Sequence, residues 1–368
     1  MKNIIFIINQ LRNSGPVRVL YSICKNLDRS KYNPIIFKLM DDDPTRSITH
    51  QFLAMDIEIR EYHFNFYQLE LMTSFIARRL RQDAMLYSNV VIHAHSYHPI
   101  LLCSHIKDIP TIATVHSISG EDFVLTKGKL MGSYMCIRFH RALKNINHPV
   151  VISKYMRDYY KSKGSLESAN VIYNGMDVDK TSAMISKDNF FNKYGLPAET
   201  KIILVAAWFS DRKNQEYIIR ELLKSNRKDF VVLFAGKGEL LEHCKTLANN
   251  DPRFIFLGFR SDVYELYKIS DFYLSASKSE GMPLAVLEAI NYGMPPILSS
   301  IPPHLELCDL VFGSRDYSFD YNQVDSLWLL FEKMMDCEWD HNKIQQLGEE
   351  KLSASAMTKK YCEIYDGI

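Results

Sequence analysis

Short, nearly continuous apolar runs alternate with longer amphipathic segments along the whole chain. In the first half, the runs with the Val, Ile and Phe content of buried strands are 3–9, 33–39, 89–96, 110–117, 149–154 and 169–174. In the second half they are 201–208, 229–236, 253–258, 271–277 and 294–300. Runs that are apolar at successive positions are typical of parallel strands covered by helices on both faces. The pattern therefore predicts an α/β protein in which strands and helices alternate in two successive series.

The two series are separated by residues 175–200, which lack a strand pattern and contain Asp, Lys, Asn, Gly and Pro. A chain of 368 residues also exceeds the usual size of one domain. We predict two Rossmann-like domains, residues 1–178 and 179–350, followed by a final helix in 351–368. Doubly wound sheets bind ligands at the carboxyl ends of their strands, so the functional residues are expected in the strand-to-helix loops that line a cleft between the domains.

Composition and charge exclude several classes of protein. The net charge of +1 argues against a strongly basic nucleic-acid-binding protein. The seven cysteines are scattered without a C-x-x-C pair, which favours reduced thiols in a cytoplasmic protein. The first apolar run, residues 4–8, is too short for a signal peptide, and no run approaches the roughly 20 residues that a spanning helix needs.

The segment 270–300 places two glutamates around a strand-to-helix junction. Glu280 lies at the tip of the predicted loop, Pro283 in the first turn of the predicted helix, and Glu288 further along that helix. The free N–H groups of a helix amino terminus suit phosphate oxygens, and a carboxylate at position 288 could accept hydrogen bonds from a ribose diol. Alternatively, Glu280 caps the helix and Glu288 lies on its solvated face.

Arg212 and Lys213 follow another predicted strand, 201–208, at the same end of the sheet as Glu280. Two cations there could offset the charge of a diphosphate leaving group. Alternatively, they belong to a solvated charged turn.

Glycines lie in a strand-to-helix loop of each series. Gly15 lies between a strand and a helix, and Gly236 and Gly238 occupy the matching place in the second series. Glycine there permits close approach of the backbone to a ligand, although a tight turn without function is the better explanation for each glycine taken singly.

Three histidines lie at predicted strand ends. His93 and His95 form an H-x-H pair, but no carboxylate or cysteine at ligand-like spacing favours a metal site. His116 ends the next strand, where it could touch a substrate hydroxyl or serve a structural role.

A basic span of the first domain is interleaved with apolar residues. Its cations are Lys127, Lys129, Arg138, Arg141, Lys144, Lys154, Arg157, Lys161 and Lys163. Its apolar residues are Leu130, Met131, Tyr134, Met135, Ile137 and Phe139. This combination predicts peripheral contact with an anionic membrane, or else a solvated basic face over the core.

Taken together, these motifs resemble the retaining glycosyltransferases of family 4, which have the GT-B fold. The resemblance runs through most of the chain, and its most specific part is SEGMPLAVLEA, where Glu280 and Glu288 match the two glutamates typical of the family. It implies a metal-independent enzyme without a cofactor, in which the first domain faces the acceptor and the second binds the nucleotide sugar. It also implies that the final helix crosses back onto the first domain.

The resemblance assigns a role to each matching residue. Glu288 would bind the ribose, while Glu280 and the backbone of Gly281, Met282, Pro283 and Leu284 would hold the donor sugar and its diphosphate. Lys213, with Arg212, would bind phosphate, and Arg260 would lie beside the base. Gly15 would let the first loop close over the donor, and His116 would reach the sugar. The family's usual Gly-Arg pair is replaced by Ala207 and Trp208, and Ser14 replaces a second glycine.

The expected function is transfer of a hexosyl or N-acetylhexosaminyl group from a nucleotide sugar, predicted to be a UDP-sugar, to a glycan hydroxyl. The acceptor is expected to be lipid-linked, at the inner face of the cell membrane, in surface-polysaccharide biosynthesis. Its contacts are expected around residues 97–99 and 118–129. Two alternatives remain: another GT-B sugar-nucleotide enzyme such as an epimerase, and a non-catalytic sugar-nucleotide-binding partner subunit.

Overall fold

The computed structural model describes residues 1–118, 123–124, 127–178, 186–260 and 262–368. These residues divide into two compact units, Met1–Gly175 with Ala354–Ile368, and Met176–Ser353. Part of the segment that was predicted to separate the domains, residues 179–185, lies outside the described residues.

The first unit contains a parallel sheet with the strand order β3-β2-β1-β4-β5-β6-β7. Its strands are β1 Lys2–Ile8, β2 Tyr32–Lys38, β3 Glu58–Glu61, β4 Val90–His95, β5 Thr111–Val115, β6 His148–Val151 and β7 Asn170–Val171. Its first helices are α1 Gly15–Asn26, α2 Thr49–Leu53, α3 Phe66–Leu71, α4 Thr73–Ala84, α5 Tyr97–Cys103, α6 Lys129–Leu143 and α7 Lys154–Ser162. All neighbouring strands are parallel, and the order reverses beside β1 as in a doubly wound sheet.

The second unit repeats this arrangement with the order β10-β9-β8-β11-β12-β13. Its strands are β8 Lys201–Ala206, β9 Phe230–Ala235, β10 Phe254–Gly258, β11 Phe272–Ser275, β12 Pro296–Ser299 and β13 Ser318–Phe319. Its helices are α8 Lys187–Tyr194, α9 Gln215–Leu222, α10 Leu241–Ala248, α11 Val263–Ile269, α12 Leu284–Asn291, α13 Pro302–Phe312, α14 Ser326–Met335 and α15 His341–Leu352. The chain ends in α16, Ala354–Asp366, which belongs to the first unit.

The predicted fold class is confirmed, because each unit contains a parallel sheet with helices between its strands and every strand-like run overlaps an observed strand. Two edge strands were not predicted. β3 has the sequence Glu-Ile-Arg-Glu and no apolar run, and β13 contains only two residues. Short or charged strands are usual at sheet edges, where one side has no partner.

The final helix α16 packs inside the first unit through buried tyrosines. The Tyr365 hydroxyl lies 2.8 Å from Nδ1 of His93, and the Tyr361 hydroxyl lies 3.0 Å from Oγ1 of Thr114. Lys2 also donates a hydrogen bond to the backbone carbonyl of Tyr365. These bonds attach α16 to β1, β4 and β5. Of the helices in the described part of the chain, none has the length and apolar character needed to cross a membrane.

Candidate functional site

Two loops at the carboxyl ends of neighbouring strands of the second unit carry a polar cluster. β8 leads to a short 3₁₀ turn, Asp211–Lys213, and its parallel neighbour β11 leads to Glu280. The backbone N–H of Lys278 donates to the carbonyl of Arg212 at 2.8 Å, so the two loops are joined directly. The strand order therefore brings together residues that are far apart in sequence.

In this cluster, Arg212 and Lys213 share one carboxylate. Lys213 Nζ donates to Oε1 of Glu280, and Arg212 Nη1 lies 3.0 Å from Oε2 and 2.8 Å from the carbonyl oxygen of Ser279. The side chain of Glu280 is only 8% exposed, whereas that of Arg212 is 43% exposed. Two cations against one carboxylate leave positive charge in excess, which suits an anionic ligand.

The carboxyl of Glu280 stays ionised despite its burial. Burial alone would raise its pKa, but the charges of Lys213 and Arg212 outweigh that effect and lower the pKa to about 2. Glu280 is therefore an acceptor of hydrogen bonds at neutral pH and holds both cations at the end of the sheet.

Helix α12 begins directly after this loop. Pro283 lies at the N-cap, one position earlier than the predicted first turn, and the helix begins at Leu284. The N–H groups of Val286 and Leu287 bond to the carbonyl oxygen of Pro283. Those of Leu284 and Ala285 have no acceptor among the described residues. This amino terminus can receive phosphate oxygens, although Pro283 itself has no N–H to offer.

Glu288 is buried inside the second unit rather than solvated. Its side chain accepts a hydrogen bond at Oε2 from the Tyr267 hydroxyl at 3.1 Å, and the residue is 3% exposed. Tyr267 in turn stacks on Tyr292 with ring centroids 5.4 Å apart. The alternative of a solvated helix face is therefore wrong. Sequence reasoning missed Tyr267, because no motif connects α11 with position 288.

Trp208, in place of the family's usual arginine, lies partly exposed beside the loop that follows β9. Its Nε1 donates to Glu239 Oε2 at 2.8 Å, and Lys237 Nζ lies 6.0 Å from its ring centroid. A Cβ at Gly236 would come within 1.9 Å of the carbonyl oxygen of Ala207, and one at Gly238 within 2.2 Å of that of Phe209. The two glycines are thus required by backbone packing between loops, and contact of this backbone with a ligand stays a prediction.

Arg260 and Gly15 were predicted to contact the donor. Arg260 Nε donates to Asp262 Oδ1 at 2.7 Å, and Ser261 between them lies outside the described residues. Gly15 is the first residue of α1, behind Ser14 at the N-cap, and its φ is not positive. These positions do not test whether Arg260 or Gly15 contacts a donor, so both contacts remain predictions.

His116, in the first unit, is tied to the preceding strand by another histidine. Nδ1 of His95 lies 2.9 Å from Nε2 of His116, and their rings stack with centroids 5.2 Å apart. Nε2 of His93 lies 2.8 Å from Oγ1 of Thr114. Burial lowers the pKa of His93 and of His116 to about 3, so both are neutral at physiological pH. His116 is partly exposed and can present a neutral imidazole to a ligand.

The H-x-H pair is thus engaged with a tyrosine, a threonine and a histidine. In the described part of the chain, no group of three or more His, Cys, Asp or Glu side chains could hold a metal ion. Independence from metals stays a prediction.

The basic span of the first unit includes α6, which exposes one apolar stripe. Leu130 is 90% exposed, and Met131, Tyr134 and Ile137 are also exposed, whereas Met135 and Phe139 are buried in the core. Of the six apolar residues interleaved with the cations, Met135 and Phe139 therefore belong to the core and cannot contact a membrane. They follow the inner side of the helix, three to four residues apart.

Arg138 is held within the protein by neighbouring polar groups. Its guanidinium pairs with the carboxylate of Glu70 and donates to Oγ1 of Thr73 at 2.7 Å. Arg141 and Lys144 are exposed and have no ion-pair partner among the described residues. A groove of about 970 Å³ lies between this helix and α4, with Phe75 and Arg141 in its lining. Residues 119–122 and 125–126, within the stretch predicted to contact the acceptor, lie outside the described residues.

Comparisons with known proteins match both units. A family model described as Glycosyltransferase Family 4 matches residues 13–180, and one described as Glycosyl transferases group 1 matches residues 186–351. The O-antigen biosynthesis glycosyltransferase WclY of Escherichia coli is 24% identical over 288 residues, covering 76% of this chain and 79% of that protein. The UDP-Gal:alpha-D-GlcNAc-diphosphoundecaprenol alpha-1,3-galactosyltransferase of Escherichia coli is 28% identical over 257 residues, covering 64% of each.

Solved structures also resemble the chain over its full length. HepE of Anabaena in complex with UDP gives a TM-score of 0.81 at 15% identity, with 100% of both chains covered. The complex of the same protein with UDP-glucose gives a TM-score of 0.77 at 16% identity, again with 100% of both chains covered. At these identities the likeness shows a shared fold.

Proposed function

Because this chain belongs to the glycosyltransferases of family 4 and group 1, we propose that it transfers a hexosyl or N-acetylhexosaminyl group from a UDP-sugar to a glycan hydroxyl, with retention of configuration. The observation that carries this proposal is the cluster of Arg212, Lys213 and Glu280 just before the amino terminus of α12. It offers two cations and unpaired helix N–H groups to a diphosphate.

The identity of the donor is supported by the site and by related proteins. Glu288 presents a buried carboxylate on α12, of the kind that accepts hydrogen bonds from a ribose diol. HepE has been solved with UDP and with UDP-glucose, and one Escherichia coli relative is named as a UDP-Gal transferase. UDP-hexoses are therefore the donors to test first.

The chemical step requires stabilisation of the departing diphosphate. Lys213, Arg212 and the amino terminus of α12 would supply positive charge where negative charge develops, which is the largest catalytic term in many transferases. In this proposal no protein nucleophile is needed. The leaving diphosphate oxygen takes the proton of the acceptor hydroxyl on the same face of the sugar, and the new glycosidic bond forms there as the bond to the diphosphate breaks.

The acceptor is proposed to be a lipid-linked glycan in surface-polysaccharide biosynthesis. WclY is named for O-antigen biosynthesis, and the galactosyltransferase is named for a diphosphoundecaprenol acceptor. In this chain, the exposed stripe of Leu130, Tyr134 and Ile137 lies on the same helix as Arg141. Apolar residues beside cations suit an anionic membrane surface, so we place the enzyme on the inner face of the cell membrane as a peripheral protein.

The proposal is tested by incubating the protein with UDP-galactose, UDP-glucose, UDP-N-acetylglucosamine and GDP-mannose, with and without GlcNAc-diphosphoundecaprenol and with excess EDTA. We expect UDP release that depends on the acceptor, persists in EDTA and yields an α-linked product by NMR. Conversion of a donor without acceptor would favour the epimerase alternative. Donor binding without turnover of any acceptor would favour a non-catalytic subunit.

A further inference from the structure

His304 is a fully buried histidine on α13 whose tautomer is set by its neighbours. Its Nδ1 lies 2.9 Å from the backbone carbonyl oxygen of Ser299 and 3.1 Å from the hydroxyl of the same residue. A carbonyl oxygen only accepts hydrogen bonds, so Nδ1 carries the proton and donates it. In the neutral ring, Nε2 is then an unprotonated acceptor.

Nε2 of His304 has no hydrogen-bond partner among the described residues, although it is completely buried. Leaving a buried acceptor without a donor costs free energy, because the atom has lost its hydrogen bonds to water. Burial lowers the pKa of His304 to about 4, so the ring is neutral at physiological pH. Nε2 of His304 is therefore a buried, unprotonated nitrogen that is able to bind a proton.

His304 is connected to the loop of Glu280 by hydrogen bonds and interacts electrostatically with that carboxylate. The Ser299 hydroxyl donates to the carbonyl oxygen of Ser277 at 2.6 Å, and Ser277 lies in the loop that carries Glu280. The charges that act on His304 are those of Glu280, which favours the imidazolium, and of Lys213, which opposes it. The same carboxylate is paired with Lys213 and Arg212. Any change in these ion pairs thus changes the electrostatic potential at His304.

We propose that His304 is a positioning residue of the donor site, which binds a proton at Nε2 when a nucleoside diphosphate occupies the cations and so balances the charge of Glu280. This inference rests on the proposed function, because it requires a diphosphate at Arg212 and Lys213. The ligand brings negative charges that compete with Glu280 for both cations. The cluster then has an excess of negative charge, and a proton taken from the buffer forms a new N–H bond at Nε2.

The experiment is isothermal titration of the full chain with UDP at pH 6.5, in buffers of different ionisation enthalpy, to count protons taken up. UDP exchanges protons of its own, so the wild type is compared with His304→Asn. We expect the wild type to take up more protons than the variant, by up to about one per UDP. His243→Asn is the matched control, because His243 is exposed and pairs with Glu216 on the outside of the unit. It is expected to match the wild type.

A second measurement needs no substitution in the core. In wild-type protein with ¹⁵N-labelled histidine, Nε2 of His304 should move on addition of UDP from the chemical-shift range of an unprotonated nitrogen to that of a protonated one. Binding of UDP without this change, or with equal proton uptake in His304→Asn, overturns the inference and leaves the proposed function standing. Absence of UDP binding overturns both.

Discussion

Lys213 donates a hydrogen bond from Nζ to Oε1 of Glu280, and both side chains are mostly buried at the carboxyl end of the second sheet. If this ammonium stabilises a departing diphosphate, Lys213→Ala should lower kcat by a factor on the order of 10²–10³, as removal of one transition-state donor does. Steady-state release of UDP measures the effect. Lys245→Ala is the control, since Lys245 is exposed and pairs with Glu242 away from the cluster of Glu280.

A rise in KM with unchanged kcat would contradict this role for Lys213. Such a result would mean that the ammonium binds ground state and transition state equally. Arg212 would then have to supply the catalytic charge, because it contacts the other oxygen of Glu280.

The low pKa of Glu280 predicts a pH-dependent contribution to stability. Its folded-state pKa of about 2 lies below the value of about 4.3 for an unfolded chain. The contribution is therefore complete above the unfolded pKa and is lost as the pH falls through the folded one. The difference corresponds to about 3 kcal/mol, of which more than half should be lost by pH 3.

Urea unfolding of the wild type and Glu280→Gln between pH 6 and pH 3 measures this contribution. We expect the free energy of unfolding of the wild type to fall relative to that of the variant by about 2 kcal/mol over this range. Parallel pH profiles of the two proteins would show that Glu280 is not held ionised by Lys213 and Arg212.

The fold could be predicted from the sequence because buried parallel strands have an apolar pattern that requires no knowledge of neighbours. The strand order could not, since β8 and β11 are adjacent in the sheet but far apart along the chain. For that reason Arg212 and Glu280 could be assigned separately to strand ends, whereas their shared ion pair emerged only from the structure.

Residues that act through another side chain were also missed. No role was assigned to Tyr267 or His304 from the sequence, because their importance comes from what they contact. Tyr267 contacts a buried carboxylate, and His304 contacts a serine that bonds to the loop of Glu280. A cation of α6 shows the opposite case, in which a residue predicted to lie on a surface is engaged within the protein. Arg138 has the sequence character of a surface cation, but the buried carboxylate of Glu70 holds it in the protein.

The proposed contact between Glu288 and the ribose can be tested by removing the charge of this side chain while keeping its size. Glu288→Gln keeps the size of the side chain but removes the charge that would strengthen a hydrogen bond to the ribose. Hydrogen bonds to charged groups contribute roughly 1.5–3 kcal/mol, so the Kd for UDP should rise about tenfold to a hundredfold. Isothermal titration measures it, with uracil alone as a ligand that should lose no affinity.

Tyr267→Phe tests how the carboxylate is positioned. Removing the hydroxyl that bonds to Oε2 of Glu288 should weaken the binding of UDP by a smaller factor than Glu288→Gln does. Tyr264→Phe, on the same helix, is the matched control. Unchanged UDP affinity in Glu288→Gln would refute contact with the ribose.

The exposed stripe of α6 predicts binding to anionic membranes to which Arg141 and Lys144 contribute and Arg138 does not. Arg141 and Lys144 are exposed, whereas Arg138 is engaged with Glu70 and Thr73. Each basic side chain near an anionic surface contributes about 1 kcal/mol, so Arg141→Gln with Lys144→Gln should weaken liposome binding roughly thirtyfold. Co-sedimentation with phosphatidylglycerol vesicles measures the loss, and added salt should reduce wild-type binding because it screens surface charges.

A charge-matched control for this prediction is available in the second unit. Arg220 and Lys245 are exposed on α9 and α10, and their replacement by glutamine removes the same charge from a face without the apolar stripe. Equal weakening in both double variants would mean that net charge alone drives binding. Unchanged binding after replacement of Arg141 and Lys144 would contradict docking through α6, whereas selective loss would locate the membrane contact at the side of that helix where Leu130, Tyr134 and Ile137 are exposed.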